Sequence, residues 1–336
     1  MRIYLVPRAT WYAAAGWLAA VLGGAGFPLG AVAAELSTER VLMPSPADGS
    51  APPVVTAVAI DPTGRLVASA GDDHLVRLWD TESGRMVREL RGHSDWVRCV
   101  TFHPEGKSLA SAGDDRSVRI WDFQSGRTLQ TLSGSGHPLF CLAYRPDGQV
   151  LAAAGFDGHL RLYDTASGQL MRTLDCPDVE VRALAISPDG KLLAAAGRNG
   201  HIRIWDAGSY LMLRDIAAHR QRVRAMAFSD NSRQLASGGD DRRLRIWNVD
   251  DGSEKVLLPN RSGKIEAIVF CQGSMLASGT TDNSIRLWDP DASSERLRLV
   301  GHTGSVASMA YHPPSRLLIT GSFDTTVRLW KLPVNE

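Results

Sequence analysis

The sequence has few of the features that usually identify a catalytic or metal-binding protein. No CxxC or Cys/His spacing suggests a zinc site, and no nucleotide motif, glycine-rich phosphate loop or isolated nucleophile–base pair is present. We therefore expect no enzymatic activity, no cofactor and no metal. We interpret the cysteines as small buried core residues and leave open a disulfide between some pair of them. The four cysteines are Cys99, Cys141, Cys176 and Cys271.

An excess of charge of either sign is also missing. The formal net charge is +1, and Arg2 and Arg8 are the only charged residues before Glu35. Residues 35–336 therefore hold 35 basic and 36 acidic side chains. A near-neutral body gives no electrostatic reason to expect nucleic acid or anionic lipid as a partner. With 44% apolar and 22% charged residues, the chain is long and apolar enough to bury a substantial core.

Residues 1–34 resemble a targeting segment. Two arginines are followed by an almost uncharged stretch from Ala9, and residues 31–34 offer the A-x-A spacing of a signal peptidase site. We expect cleavage after Ala33 or Ala34 and a secreted or periplasmic product. An uncleaved membrane anchor over residues 9–34 is the alternative, because about 20 apolar residues suffice to span a bilayer. Several glycines and Pro28 weaken a continuous helix there.

The remainder, residues 35–336, repeats itself. An aromatic residue ends an alternating apolar/Arg run seven times, with spacings of 42, 42, 42, 42, 41 and 42 residues. Each copy contains short apolar runs separated by Pro, Gly and Asp clusters, which predicts four strands per repeat. Four strands per 40–45 residues make one propeller blade. The seven anchors are Trp79, Trp121, Tyr163, Trp205, Trp247, Trp288 and Trp330.

These repeats closely resemble the WD-repeat (WD40) family from about residue 36 to residue 333. Trp-Asp pairs begin at Trp79, Trp121, Trp205 and Trp288, and Gly-His pairs begin at Gly92 and Gly301. The resemblance implies an all-β fold, a seven-bladed WD40-type β-propeller closed by an N-terminal strand. It also implies a non-catalytic scaffold that binds a protein or peptide partner, and we expect a monomeric propeller. Two alternatives stay open: a small-ligand-binding or enzymatic propeller with a site at the central channel mouth, and an accessory subunit of an enzyme complex.

In this family a His, a Ser or Thr, an Asp and the Trp form a hydrogen-bonded tetrad inside a blade. The matching residues are His93, Ser111, Asp115 and Trp121 in blade 2; His219, Ser237, Asp241 and Trp247 in blade 5; and His302, Thr320, Asp324 and Trp330 in blade 7. Blades 1 and 6 lack the His. Blades 3 and 4 have Ala153 and Ala195 in place of the hydroxyl residue and lack part of the network, so we expect them to be the least stable part of the ring.

Two recurring features are interpreted as scaffold because they occur in several blades. The Ser, His and Asp residues are not a hydrolase triad, since an enzyme needs a single site. The Arg two positions before each anchor aromatic is expected to pack its stem along the sheet and to keep its head in water. These arginines are Arg77, Arg119, Arg161, Arg203, Arg245, Arg286 and Arg328.

The last copy ends soon after Trp330, which leaves its blade with three strands. Residues 37–43 precede the first repeat and are predicted to form a spare strand. In the family such a strand completes the last blade. We expect the same here, because an open sheet edge is an aggregation hazard.

In the family, partners often dock on the rim formed by the loops entering the inner strands and by the turn before the tetrad Asp. These positions vary from blade to blade, as a site with an individual function requires. We hypothesise that blades 2–5 form one patch, aromatic on one side and basic on the other, suited to an apolar anchor followed by acidic residues. The candidate residues are Trp96, Arg98, Asp114, Phe140, Phe156, Arg182, Arg198, Arg222, Arg224 and Asp240.

Overall fold

The computed structural model describes residues 34–43, 51–132, 134–176, 180–259 and 263–333. The predicted targeting segment lies outside these residues, apart from Ala34. Within the described ranges, no helix combines the length and the apolar character needed to cross a membrane. In these ranges a 3₁₀ turn, Gln272–Ser274, accompanies 29 strands that are grouped into seven sheets, and neighbouring strands run antiparallel except where the N-terminal strand joins one sheet in parallel.

The seven sheets follow one another along the chain, four strands at a time. Blade 1 contains β3 Val55–Ile60, β4 Leu66–Gly71, β5 Val76–Asp80 and β6 Met86–Leu90. Blade 2 contains β7 Val97–Phe102, β8 Leu109–Gly113, β9 Val118–Asp122 and β10 Arg127–Leu132. Blade 3 contains β11 Leu139–Tyr144, β12 Val150–Gly155, β13 His159–Asp164 and β14 Leu170–Asp175. Blade 4 contains β15 Val181–Ile186, β16 Leu192–Gly197, β17 His201–Asp206 and β18 Met212–Ala217.

The last three blades continue the pattern and use the N-terminal strands. Blade 5 contains β19 Val223–Phe228, β20 Gln234–Gly239, β21 Leu244–Asn248 and β22 Glu254–Leu258. Blade 6 contains β23 Ile265–Phe270, β24 Leu276–Thr280, β25 Ile285–Asp289, β26 Ser294–Val300 and the added strand β1 Ala34–Ser37. Blade 7 contains β27 Val306–His312, β28 Leu317–Ser322, β29 Val327–Lys331 and β2 Arg40–Leu42. The predicted seven-bladed propeller is confirmed.

The hydrophobic core lies between blades rather than inside them. Each buried cluster joins residues of two neighbouring sheets; for example, Leu78 of blade 1 packs in one cluster with Phe102 and Trp121 of blade 2. Seven such clusters follow one another around the described ring, and the seventh joins blade 7 to blade 1. A blade is a thin sheet with two faces, so its apolar side chains leave water only when both neighbours are present.

The ring is closed by the N-terminal segment, as predicted, but the segment is split. Strand β2 pairs antiparallel with β29, with Arg40 opposite Leu329 and Leu42 opposite Val327. The sequence suggested one strand over residues 37–43, whereas Ala34–Ser37 instead pairs in parallel with Leu297–Val300 of blade 6. The chain changes partner at Thr38, whose hydroxyl accepts a hydrogen bond of 3.0 Å from Arg328 Nη1 of blade 7.

Polar side chains on the outer strands also connect consecutive blades. Arg88 Nη1 donates to the Ser125 carbonyl (3.3 Å), Gln130 Nε2 to that of Ala166 (3.2 Å) and Arg214 Nη2 to that of Asp250 (2.5 Å). Each acceptor lies in the turn before the outer strand of the next blade. Arg40 of β2 donates to the Glu82 carbonyl of blade 1 in the same way, so the closing strand supplies this contact across the seam.

We predict that Leu42→Ala lowers the free energy of unfolding by about 2–4 kcal/mol, because the side chain is 1% exposed and is shared by the blade 7–blade 1 core. Val41→Ala in the same strand is the control: its side chain is 44% exposed, and a change within about 0.5 kcal/mol is expected. Denaturant titration measures both. Equal losses would show that β2 does not close the ring through its buried face.

Candidate partner-binding face

The three predicted tetrads form hydrogen-bonded networks in blades 2, 5 and 7. In blade 2, Ser111 Oγ lies 2.6 Å from His93 Nε2 and accepts a 2.8 Å hydrogen bond from Trp121 Nε1, while His93 Nδ1 lies 2.7 Å from Asp115. Blades 5 and 7 repeat these contacts with distances of 2.7 to 3.0 Å. The network ties the second and third strands of a blade to the loop that precedes its first strand.

Blades without the His use the recurring Arg instead. Arg77 Nη2 lies 2.5 Å from Asp73 in blade 1, Arg286 Nη2 lies 3.2 Å from Asp282 in blade 6, and Arg161 pairs with Asp157 in blade 3. These three arginines are 6–8% exposed. The expectation that the heads of the recurring arginines stay in water was therefore wrong for these three, whose guanidinium groups neutralise the tetrad carboxylates. It was also wrong for Arg203 of blade 4, which is 4% exposed and pairs with Asp215.

The tetrad carboxylates are held ionised. Burial by itself raises the pKa of Asp115, but hydrogen bonds from His93 and Ser117 outweigh burial and hold the pKa well below its usual range. The pKa of Asp324 is lowered in the same way, with His302 and Thr326 outweighing burial. This contribution to stability is present above about pH 4, where the unfolded carboxyl ionises, and is lost as the pH falls towards the folded pKa.

A β-bulge at the start of each inner strand selects the residues that face the channel mouth. In every blade the pairing between the first two strands skips the second residue of the inner strand. A bulge leaves the extra residue outside the ladder and redirects its side chain. The skipped residues are Thr56, Arg98, Phe140, Arg182, Arg224, Glu266 and Ala307.

Glycine makes room for this bulge in the first five blades. A Cβ on Gly113 would lie 1.9 Å from the Trp96 carbonyl oxygen, and one on Gly197 would lie 1.8 Å from that of Glu180. The equivalent glycines 71, 155 and 239 face the same obstacle. The repeated Ala-Gly or Gly-Gly pair is therefore a requirement of the backbone at the mouth.

The redirected side chains line a cavity of about 190 Å³ at the mouth of the central channel. All seven skipped residues contribute to it, together with Phe323 from the turn of blade 7. Four of the predicted residues therefore meet there: Arg98, Phe140, Arg182 and Arg224. Phe323 and Glu266 were left out of the predicted patch, although their places in the repeat are the same as those of Phe156 and Arg98.

Blades 2 and 3 form an aromatic half of the mouth. The Arg98 guanidinium lies 4.4 Å from the centre of the Trp96 ring and is held by Asp114 through bonds of 2.9 and 2.5 Å. The Arg182 guanidinium lies 3.6 Å from the centre of the Phe140 ring. Phe156 is 46% exposed at the turn of blade 3. The predicted aromatics thus share one side of the ring.

Blades 4 to 6 carry a ladder of ion pairs. The buried Glu180 binds Arg182 (2.5 Å) of its own blade and Arg222 (2.9 Å) of blade 5. Arg224 lies 2.6 Å from Asp240 and 3.0 Å from Glu266 of blade 6. Burial raises the pKa of Glu266, whereas at Asp240 the hydrogen bond from Arg224 outweighs burial and lowers the pKa.

This ladder changes the interpretation of the basic half of the patch. Arg182, Arg222 and Arg224 are paired with carboxylates of the chain, so their charges are already neutralised and are not available to a partner. The sequence contained a sign of this pairing, because Glu180, Lys264 and Glu266 stand at the same repeat positions as residues of the predicted patch. Arg198 differs from the other three: it is exposed, and no ion pair is found for it in the described parts of the chain.

Within the described residues, no group of three or more His, Cys, Asp or Glu side chains is placed to hold a metal ion. No disulfide joins the four cysteines, which all lie in the described ranges, and all of them except the half-buried Cys99 are buried.

Family comparisons agree with the geometry of the blades. The family profile described as the IFT122 first beta-propeller matches residues 54–209. The profile of the WD domain, G-beta repeat, matches residues 211–248, 258–289 and 294–331. The chain belongs to the WD-repeat family. The matched ranges include strands of all seven blades of this WD-repeat propeller, but not β1, β2 or most of β22.

Individual relatives share about one repeat with this WD-repeat propeller. The nuclear distribution protein PAC1 of Coprinopsis cinerea is 49% identical over 39 residues, 12% of this chain and 9% of that protein. The Lissencephaly-1 homolog of Monosiga brevicollis is 44% identical over 48 residues (14% and 12%), and the probable serine/threonine-protein kinase PkwA of Thermomonospora curvata 48% over 42 residues (12% and 6%). The match spans about a tenth of the length of these proteins.

We predict that Asp115→Ala lowers the free energy of unfolding at pH 7 by about 1–3 kcal/mol, because it leaves His93 and Ser117 without their acceptor. Asn199→Ala in blade 4 should cost less, about 0.5–1 kcal/mol, because Asn199 is exposed. Urea titration at pH 7 and at pH 3 tests both. The Asp115 effect should shrink at pH 3, and the reverse ranking of the two variants would refute the blade assignment.

Proposed function

We propose that this WD-repeat propeller is a non-catalytic scaffold that binds a segment of a partner protein across the channel mouth. WD40 propellers are in general protein-interaction scaffolds, which supports the class of function. The main support for a docking site at the mouth is the contrast between positions that repeat from blade to blade and positions that vary. Tetrad residues and the glycines beside the bulge recur in several blades, whereas the seven skipped residues at the mouth include Thr, Arg, Phe, Glu and Ala.

The aromatic half supports a partner with an apolar anchor. Trp96 and Phe140 are half-buried, and Phe156 is 46% exposed. Phe323 of blade 7, outside the aromatic half, also lines the cavity and is 49% exposed. Aromatic residues in partly desolvated positions dominate the energy of many protein interfaces. An apolar side chain of the partner placed against these rings would leave water without breaking any hydrogen bond of the propeller.

The ion-pair ladder supports a rigid opposite wall. Glu180, Asp240 and Glu266 hold the cationic side chains of blades 4 to 6 in one arrangement, so little side-chain entropy is lost on binding. The double variant Arg182→Ala/Arg224→Ala is a poor probe of binding, because it leaves the buried Glu180 and the half-buried Glu266 with fewer partners and should lower the melting temperature as well.

The mouth is tested by quantitative capture with the purified propeller as bait. Trp96→Ala and Phe140→Ala should each weaken binding of the captured partner about tenfold or more, as loss of an aromatic anchor does. Leu129→Ala on the outer strand of blade 2, 56% exposed, is the matched control and should bind like the wild type. All three variants should keep the wild-type melting temperature. If both aromatic variants retain full affinity, the partner does not dock at the mouth.

We also propose that the propeller is exported from the cytoplasm. The charged start, the apolar run and the small residues at 31–34 support a cleaved signal. Cleavage after Ala33 would leave both N-terminal strands in the mature chain, since β1 begins at Ala34.

N-terminal sequencing of the protein made in its native host checks export. The first residue should be Ala34 or Glu35, in an extracytoplasmic fraction. An intact Met1 in the membrane fraction would instead support the anchor, and an intact Met1 in the cytoplasm would rule out export.

A further inference from the structure

Blades 4 and 5 carry exposed arginines at positions where other blades place scaffold residues. Arg198 occupies the turn position that is Asp114 in blade 2, and Arg220 follows the tetrad His where Ser94 and Thr303 stand in blades 2 and 7. Arg243 replaces Ser117, Ser284 and Thr326, whose hydroxyls donate to the turn Asp at 2.6 to 2.9 Å. Blade 5 therefore lacks a hydroxyl contact made in three other blades and has a cation there instead.

The three arginines lie on neighbouring loops at the same end of the strands. The Arg220 and Arg243 backbone amides both donate to the Asp241 carboxylate, the latter at 3.0 Å. The His219 amide, next to Arg220, donates 2.9 Å to the Gly200 carbonyl in the turn that contains Arg198. We call Arg198, Arg220 and Arg243 the arginine crest.

The carboxylates around the crest are already engaged. Asp241 binds His219, Asp240 binds Arg224, and Glu180 binds Arg182 and Arg222. No side-chain hydrogen bond or ion pair is found for the three crest arginines within the described parts of the chain. Exposed cations on neighbouring loops that have no carboxylate partner among the described residues repel one another and attract anions.

The crest continues the aromatic half of the mouth. Phe156 and Arg198 occupy equivalent turn positions in adjacent blades, and their amides donate to the Pro138 and Glu180 carbonyls respectively. Moving around the rim from blade 3 to blade 5, a chain would meet the exposed Phe156 ring first and then the three guanidinium groups.

We infer that the arginine crest binds an acidic segment of the partner protein, with an apolar residue of the same segment against Phe156. This assignment rests on the proposed function and moves the acid-binding role from Arg222 and Arg224, which are paired within the chain, to Arg198, Arg220 and Arg243. Carboxylate groups suit the planar guanidinium fork.

The test uses a fluorescein-labelled peptide with one phenylalanine followed by five alternating Asp and Glu residues, and anisotropy as the readout. The triple variant Arg198→Ala/Arg220→Ala/Arg243→Ala should bind it about tenfold more weakly than the wild type. The control Arg65→Ala/Arg85→Ala/Arg127→Ala removes the same charge from exposed positions at the opposite end of the strands and should bind like the wild type. Binding should weaken in 0.5 M salt.

Several results would overturn the inference. They are failure of the wild type to bind the peptide, equal loss in both triple variants, or tighter binding to a 20-base-pair DNA duplex or to phosphatidylserine vesicles than to the peptide. If Phe140→Ala no longer binds the captured partner but the triple crest variant still does, the assignment of the crest fails and the proposed function stands. If the crest binds the peptide but Trp96→Ala and Phe140→Ala both capture partner normally, the docking site at the mouth fails instead.

Discussion

Closure of the ring is the constraint on which the rest of this propeller depends. Each blade buries its apolar faces only against two neighbours, so every interface is complete only when the last blade meets the first. Three residues of β2 provide that contact, with Leu42 buried in the shared core and Arg40 reaching blade 1. A second short strand, β1, fastens the same segment to blade 6 and spreads the closing contact over two blades.

The closed ring brings the variable residues of the seven blades together. Because the bulge falls at the same place in each inner strand, seven residues far apart in sequence converge on one cavity of about 190 Å³. The scaffold around them offers two solutions: the tetrad carboxylate is hydrogen-bonded to His in some blades and paired with Arg in others. A change at the mouth therefore alters recognition without requiring a change in the backbone.

Electrostatic pairing divides the arginines into two classes that composition cannot separate. Those in the ladder of blades 4 to 6 are neutralised by Glu180, Asp240 and Glu266 and serve as a rigid wall. Those of the crest have no such partner within the described residues. Buried paired charges add little attraction for a ligand, whereas exposed unpaired ones both steer and hold it.

The sequence alone determined the fold, because the 42-residue period, the anchor aromatics and the tetrad residues are local features that recur in register. It also predicted that the N-terminal segment closes the ring and that Arg98, Phe140, Arg182 and Arg224 belong to one face. It could not show that residues 34–37 pair with blade 6, that Arg77, Arg161 and Arg286 are buried, or that Arg222 and Arg224 are neutralised. Each of those outcomes depends on tertiary contacts: some lie within one blade, such as the pairing of Arg77 with Asp73, and some join two blades, such as the pairing of Arg222 in blade 5 with Glu180 in blade 4. Periodicity specifies the blades, and the folded geometry decides which charged side chains meet.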